Sequence, residues 1–240
     1  IMALPKLNTV EYFCKLPVSG IEAKYRPFTV GEQKVLLQAL EEDKVKTITH
    51  TVINLVEACC GLPDSTMTVR ELSNTDLEYL FLQVRIKSVG ETSNIVLGCN
   101  SECDGQTPVE IDLLSVGVEG EVKSDIVKLT DEVSIRLSVP NFSEVQGMIQ
   151  DIDNITTSNI FDVLEMSVRE IITTDDVIKR NDVTSKELSV FLNEMSTEQF
   201  THMMEWFNDL PKLVKEVEYN CVKCNTENKV RLEGIQNFFV

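Results

Sequence analysis

Four of the seven cysteines fall in two close pairs, Cys99 with Cys103 and Cys221 with Cys224, separated by over 100 residues. Each pair sits at the tip of a predicted hairpin, where a tight turn directs two thiolates towards one point. Zinc prefers four soft ligands at the corners of a tetrahedron. We therefore predict that these cysteines bind one structural zinc ion and that the two hairpins lie side by side. Closing so long a loop would stabilise the whole fold.

Two other interpretations of these cysteines remain open. Cys221 and Cys224 could form a redox Cys-x-x-Cys pair, or the four thiols could be unligated. A redox pair needs a helix N-terminus to activate one thiol, whereas Cys221 follows a strand pattern. A closed four-thiolate site leaves no position for a reacting water, which favours a structural role for the metal.

The remaining cysteines lie in apolar stretches and are interpreted as small buried hydrophobic residues: Cys14, Cys59 and Cys60.

Hydrophobic periodicity predicts an α+β fold, in which amphipathic helices pack with short antiparallel hairpins. Residues 12–28 alternate around a turn at 17–20, which predicts an N-terminal hairpin. Residues 31–60 and 77–90 have the apolar spacing of helices. The hairpins that carry the cysteines form a two-knuckle unit similar to a zinc ribbon. Alternation predicts strands at 95–99, 109–113, 133–139, 217–221 and 230–232.

The region from residue 141 to residue 210 returns to helical spacing. Two capping boxes predict helix starts, Thr184 with Glu187 and Ser196 with Gln199. Apolar stripes are predicted on two helices, one through Phe161, Leu164, Val168 and Ile171 and a core-forming one through Phe200, Met203, Met204 and Phe207.

We divide the chain into two parts that the zinc site joins into one compact unit. Residues 2–114 hold the N-terminal hairpin, helices and the first cysteine knuckle. Residues 115–240 hold a strand, the helical region and the second knuckle.

The chain is strongly acidic, with a net charge of −17 and a pI near 4.5. Nucleic acids and anionic membranes are therefore unfavourable partners, because their affinity depends on basic side chains that neutralise phosphates. No apolar run approaches the roughly 20 residues needed to span a bilayer, and no signal-peptide pattern is present. We expect the protein to stay in the compartment where it is made.

The sequence contains no pattern that predicts catalysis. Its two histidines, His50 and His202, lie in helical stretches without a nucleophile or carboxylate at motif spacing. There is no P-loop, dinucleotide-binding turn, nucleophile elbow or zinc-protease helix. We therefore predict no catalytic residues, no small-molecule substrate and no cofactor other than structural zinc.

Four segments, taken in order, form a distinctive combination: Met2–Thr9, Tyr25–Phe28, Gly31–Leu40 and Phe81–Glu91. Together they resemble a family of baseplate hub proteins from T-even-like, contractile-tailed bacteriophages (myoviruses). The resemblance implies a late viral protein, made in the host bacterial cytoplasm, that serves the baseplate of the virion tail. It implies a hub component or hub assembly factor that acts through contacts with other hub or wedge proteins.

Candidate contact residues under this hypothesis are Leu4, Leu7, Arg26 and Phe28. The segment around Leu4 and Leu7 is too short to bury itself. In the alternative interpretation, Phe28 belongs to the core and Arg26 caps a helix end. A second class of function is also open, in which the chain is a zinc-ribbon accessory subunit of a nucleic-acid-processing complex.

Overall fold

The computed structural model describes residues 9–42, 44–64, 66–101, 103–121, 124–141, 144 and 157–234. These residues contain six α-helices and antiparallel sheets, which confirms the predicted α+β class. Contacts group the chain into two compact units, which we call unit 1 (Ile1–Glu119 with Lys212–Val240) and unit 2 (Gly120–Pro211). The division into parts that meet at residues 114 and 115 stays a prediction.

The N-terminal part of unit 1 is a small antiparallel sheet with three helices. Its elements are β1 (Tyr12–Lys15), β2 (Glu22–Tyr25), α1 (Val30–Glu41), α2 (Val45–Cys59), β3 (Cys60–Gly61) and α3 (Asn74–Ser88). The strand order is β1-β2-β3, with Cys14 opposite Ala23 in the first pair. The N-terminal hairpin is therefore confirmed.

The helical pattern over residues 31–60 forms two helices rather than one. A capping box between Thr29 and Glu32 starts α1, and α1 ends at Glu41. Lys44, just before α2, has extended backbone with φ −108° and ψ 111°. Glu41 and its neighbour Glu42 disfavour continuation, because carboxylates are unfavourable near the negative end of the helix dipole.

A buried carboxylate joins the N-terminal hairpin to α3. Ser73 caps this helix by accepting the Asp76 N–H at 3.1 Å. The Asp76 side chain is fully buried, and it accepts the N–H groups of Val18 at 2.8 Å and Ser19 at 3.0 Å. A buried carboxylate is stable only when donors of this kind satisfy it. The hairpin turn is thereby held against the first turn of α3.

The rest of unit 1 consists of two cysteine-bearing hairpins packed on α3. The first pairs β4 (Thr92–Gly98) with β5 (Gln106–Asp112), and the second pairs β11 (Lys212–Asn220) with β12 (Glu227–Glu233). A short strand, β6 (Gly117–Glu119), joins the second hairpin in the order β12-β11-β6. The inward-facing residues of both hairpins share one core with α3: Leu82, Ile86, Ile95, Ile111, Leu113, Leu213, Val217, Tyr219 and Leu232.

Unit 2 is a four-stranded antiparallel sheet with helices packed on it. Its elements are β7 (Ile126–Lys128), β8 (Val133–Leu137), α4 (Thr157–Ser167), β9 (Val168–Thr173), β10 (Val177–Lys179), α5 (Ser185–Asn193) and α6 (Thr197–Asn208), with strand order β10-β9-β8-β7. Both predicted capping boxes are confirmed, at the starts of α5 and α6. The Met and Phe stripe of α6 packs in the core, where Met203 is fully buried.

The helical stripe predicted through Phe161, Leu164, Val168 and Ile171 is wrong in its second half. The helix α4 ends at Ser167, and Val168 and Ile171 lie on β9 beside the central strand β8. The segment from 168 to 173 is rich in β-branched residues, which favour a pleated, half-buried strand. The spacing of three residues between Val168 and Ile171 did not distinguish a helix from a strand. The pairing of this segment with β8 makes it a strand.

Candidate metal centre

Both cysteine pairs lie in tight turns that share two backbone features. In each hairpin the N–H of the first cysteine donates across the turn to a carbonyl at 2.9 Å. The residue after the second cysteine has left-handed backbone, with φ 46° at Asp104 and 57° at Asn225. Asp and Asn adopt this conformation more readily than most residues. The chain therefore reverses direction directly after each second cysteine.

The two turns meet, so that sulfurs from distant parts of the chain form one cluster. Cys99 Sγ lies 3.6 Å from Cys224 Sγ, and Cys103 Sγ lies 3.5 Å from Cys221 Sγ. All four sulfurs lie within 4.8 Å of one another. A tetrahedral ion with sulfur ligands at about 2.3 Å requires sulfur–sulfur spacings of about 3.8 Å. The side-by-side placement is therefore confirmed and fits one tetrahedral metal; ligation itself stays a prediction.

Gly105 allows the hairpins to approach this closely. A Cβ atom at this position would overlap Cys221 Sγ, and it would lie 3.1 Å from Cys103 Sγ. By contrast, no atom lies within 4 Å of a Cβ built at Gly98, which ends β4. The absence of a side chain at residue 105 is thus a requirement of the cluster.

Polar side chains outside the cysteine pairs hold the two hairpins together. Asn228 is 2 % exposed; its Oδ1 accepts the Asn100 N–H at 2.8 Å, and its Nδ2 donates to the Thr226 carbonyl at 2.8 Å. Buried Thr107 accepts the Val222 N–H at 3.2 Å through its hydroxyl. The bonds from Asn100 and Val222 cross between hairpins, and they therefore set the distance between the two turns.

Exposure and protonation differ among the four sulfurs. Cys221 is buried, whereas Cys224 is exposed. Hydrogen bonds from neighbouring hydroxyls, that of Ser101 first, lower the pKa of Cys224 to about 5. Ser101 also lowers the pKa of Cys99, while a hydrogen bond with Cys224 raises the pKa of Cys103 to about 11. A bound cation must displace the remaining thiol protons, so metal affinity increases with pH.

Two of the predicted contact residues make internal contacts in unit 1. The Arg26 guanidinium pairs with both Glu32 carboxylate oxygens, at 2.8 and 3.0 Å, and donates to the Ala58 carbonyl at 2.9 Å, in the last turn of α2. Phe28 is 9 % exposed. These are the contacts of the alternative interpretation, in which Phe28 belongs to the core and Arg26 caps a helix end. A role in partner contact stays a prediction for both.

The other predicted contact residues, Leu4 and Leu7, lie outside the described residues.

The three cysteines outside the cluster, Cys14, Cys59 and Cys60, are free thiols. Burial raises the pKa of Cys14 and of Cys59 to about 11, and it also raises the pKa of Cys60. These three thiols are therefore neutral at physiological pH.

Sequence reasoning missed Asn228 and Thr107, which support the cluster. Asn228 occupies an inward position on β12, in phase with Val230 and Leu232. Thr107 is likewise in the inward phase of β5 and is 5 % exposed. A polar residue in the buried phase of a strand needs a hydrogen-bond partner, and this signal could have identified both residues.

The fold and the site define an α+β protein built around two converging cysteine hairpins. Residues 9–240 match the family of T4 bacteriophage base plate proteins, and the chain belongs to this family. No curated protein and no solved structure gives a significant match. Within the described part of the chain, no helix has the length and apolar character needed to cross a membrane. Family membership implies a bacteriophage tail protein that contacts other base plate proteins.

Proposed function

We propose that the protein is a component or assembly factor of the base plate hub and that it acts through protein–protein contacts. The family match over residues 9–240 is the observation that carries this proposal. The hub assignment within the family is supported by the four sequence segments that resemble hub proteins. The family consists of base plate proteins, which are structural parts of the tail, and this supports a role without catalysis.

A structural zinc ion stabilises unit 1 in this proposal. Four converging cysteine sulfurs could supply all four ligands of a tetrahedral ion, which is typical of structural zinc, although iron also uses four thiolates. Metal analysis of protein purified without added metal should return about one zinc per chain. Iron, or no bound metal, would contradict this part of the proposal.

Charges around the second knuckle argue against an accessory subunit of a nucleic-acid-processing complex. Lys229 Nζ pairs with Glu216 at 2.7 Å and with Glu218 at 3.4 Å. Arg231 pairs with Glu119 at 2.8 Å. Because carboxylates already neutralise these basic side chains, they contribute little to phosphate binding. Salt-dependent retention on DNA would favour the alternative function, and we expect none.

Co-purification from infected bacteria tests the proposed role. The tagged full-length protein should be recovered with hub or wedge proteins. Deleting residues 2–9 should abolish this recovery and leave the zinc content and melting temperature nearly unchanged, because Leu4 and Leu7 are the predicted contacts. If the truncated protein still assembles into infectious tails, this segment is not the contact. If the full-length chain recovers no base plate protein, the proposed function is wrong.

Mass spectrometry of purified virions distinguishes the two forms of the proposal. Presence of the protein in the particle identifies a structural component. Its absence, together with binding during assembly, identifies an assembly factor.

A further inference from the structure

An open groove runs along one edge of the unit 2 sheet. Consecutive residues of β7 and its following turn, 126–131, form one wall. The other wall is a single face of α6 and its cap, formed by residues at helical spacing: His202, Glu205, Trp206 and Asp209. The groove has a volume of about 730 Å³. It therefore lies between a strand edge and a helix face.

The backbone of β7 is paired on only one side among the described residues. The register places Val127 opposite Ile135 of β8. Leu137 N–H donates to the Asp125 carbonyl at 2.6 Å, and Leu129 N–H donates to a β8 carbonyl at 3.0 Å. Because hydrogen-bonded and non-bonded pairs alternate in antiparallel sheets, residues 125, 127 and 129 face β8. The N–H and C=O groups of residues 126 and 128 point to the open side.

These outward backbone groups differ in their partners. Ser124 Oγ accepts the Ile126 N–H at 3.1 Å and donates to the Ile126 carbonyl at 3.3 Å. The Lys128 N–H and C=O have no hydrogen-bond partner among the residues that the structure describes. Unpaired groups of this kind are a template for an added strand.

The groove combines apolar surface with excess negative charge. Ile126 is 41 % exposed, and Trp206 is half-buried, with Nε1 donating to the Ser124 carbonyl at 2.6 Å. The charged lining residues are Lys128, Asp131, Glu205 and Asp209. The ammonium group of Lys128 already pairs with Asp131 at 2.7 Å. Among the described lining residues, Asp131 and Glu205 by themselves outnumber the single ammonium group of Lys128, so the charge of the described lining complements a basic partner.

We infer that the groove binds an extended, basic segment of another base plate protein, which adds to the sheet as a strand beside β7. The backbone of the segment pairs with the Lys128 N–H and C=O, as in other cases of strand addition. Alternate side chains contact Ile126 and Trp206, and Lys or Arg side chains face Glu205. The inference rests on the proposed function, because it takes the partner from the base plate.

Two substitutions at Lys128 separate backbone pairing from charge. Lys128→Pro removes the outward N–H, and proline is tolerated on an edge strand where the N–H faces away from the ladder. Lys128→Ala removes the same ammonium group but keeps the N–H. Glu205→Lys provides a second test, because it reverses a charge on the helix wall without changing the strand. Urea midpoints of all three variants should match the wild type.

The assay uses the full-length chain and an array of overlapping peptides that covers the other base plate proteins of the same phage. Trp206 is the single tryptophan of the chain, so its fluorescence reports the Kd of each array hit in solution. Lys128→Ala should bind the same basic peptides at least as tightly as the wild type, because it keeps the N–H and removes a positive charge from the groove. Lys128→Pro and Glu205→Lys should each bind them at least tenfold more weakly.

Several outcomes would overturn the inference. Equal affinity of Lys128→Pro and Lys128→Ala would exclude strand addition, and acidic hits or unchanged binding by Glu205→Lys would exclude the basic partner. Self-association that Lys128→Pro abolishes, seen by sedimentation, would make a second copy of the chain the occupant. An array without hits also overturns the inference. If co-purification with base plate proteins still succeeds in that case, the proposed function stands and only the groove assignment fails.

Discussion

Replacing Cys224 with serine tests the metal cluster with the least change in packing. Cys224 is the exposed member of the four, so the substitution leaves no buried cavity. A serine hydroxyl is a weak zinc ligand compared with a thiolate. A large loss of stability would therefore reflect the metal rather than side-chain packing.

The magnitude follows from the length of chain that the cluster closes. Cys103 and Cys221 are 118 residues apart. Cross-linking a loop of this length contributes about 5 kcal/mol in the chain-entropy treatment. Because three thiolates still bind some metal, we expect Cys224→Ser to lower the free energy of unfolding by about 2 to 5 kcal/mol. For a chain of this size, the melting temperature should fall by roughly 5–20 °C.

Urea unfolding followed by far-UV circular dichroism measures this loss, with Cys14→Ser as the matched control. Cys14 is a half-buried thiol away from the cluster, and its replacement should cost about 1 kcal/mol. A strong chelator should lower the wild type at least to the stability of Cys224→Ser, and it should lower that variant by less, because only residual metal is removed from it. Equal midpoints for the two serine variants, or a wild type that does not respond to the chelator, would refute the reasoning.

Three further changes test the structure around the cluster and at the N-terminal hairpin. Gly105→Ala should weaken zinc binding in a competition assay, because the added methyl overlaps a cluster sulfur, whereas Gly98→Ala should leave zinc affinity unchanged. Arg26 lowers the pKa of Glu32 to about 2 from the ordinary 4.5, so this carboxylate stabilises the fold at neutral pH and loses that contribution as pH falls through this range. Glu32→Gln should remove about 1 kcal/mol of this acid-dependent stability, measured by urea unfolding at several pH values. Asp76→Asn should cost about 2 kcal/mol by the same assay at pH 7, because a buried acceptor of two backbone N–H groups is replaced by an amide.

Local features of the fold were predictable because their causes lie within a few residues. The starts of α5 and α6 follow from capping boxes, in which a hydroxyl and a Glu or Gln three residues later satisfy free backbone N–H groups. The N-terminal hairpin follows from alternation around a turn of residues 17–20. The strand β9 was not predictable in this way, because its apolar spacing also suits a helix and only pairing with β8 excludes one.

The sequence by itself determined that each cysteine pair lies in a tight turn between two strands, since spacing and alternation are local properties. Only the tertiary structure decided that Cys99 faces Cys224 and that Cys103 faces Cys221. The shared core on α3 and the pairing of β6 with β11 bring these distant segments together. The same holds for the groove beside β7, whose open edge depends on which strands pair. Pairing and burial are decided by contacts between segments far apart in the chain, and no local pattern encodes them.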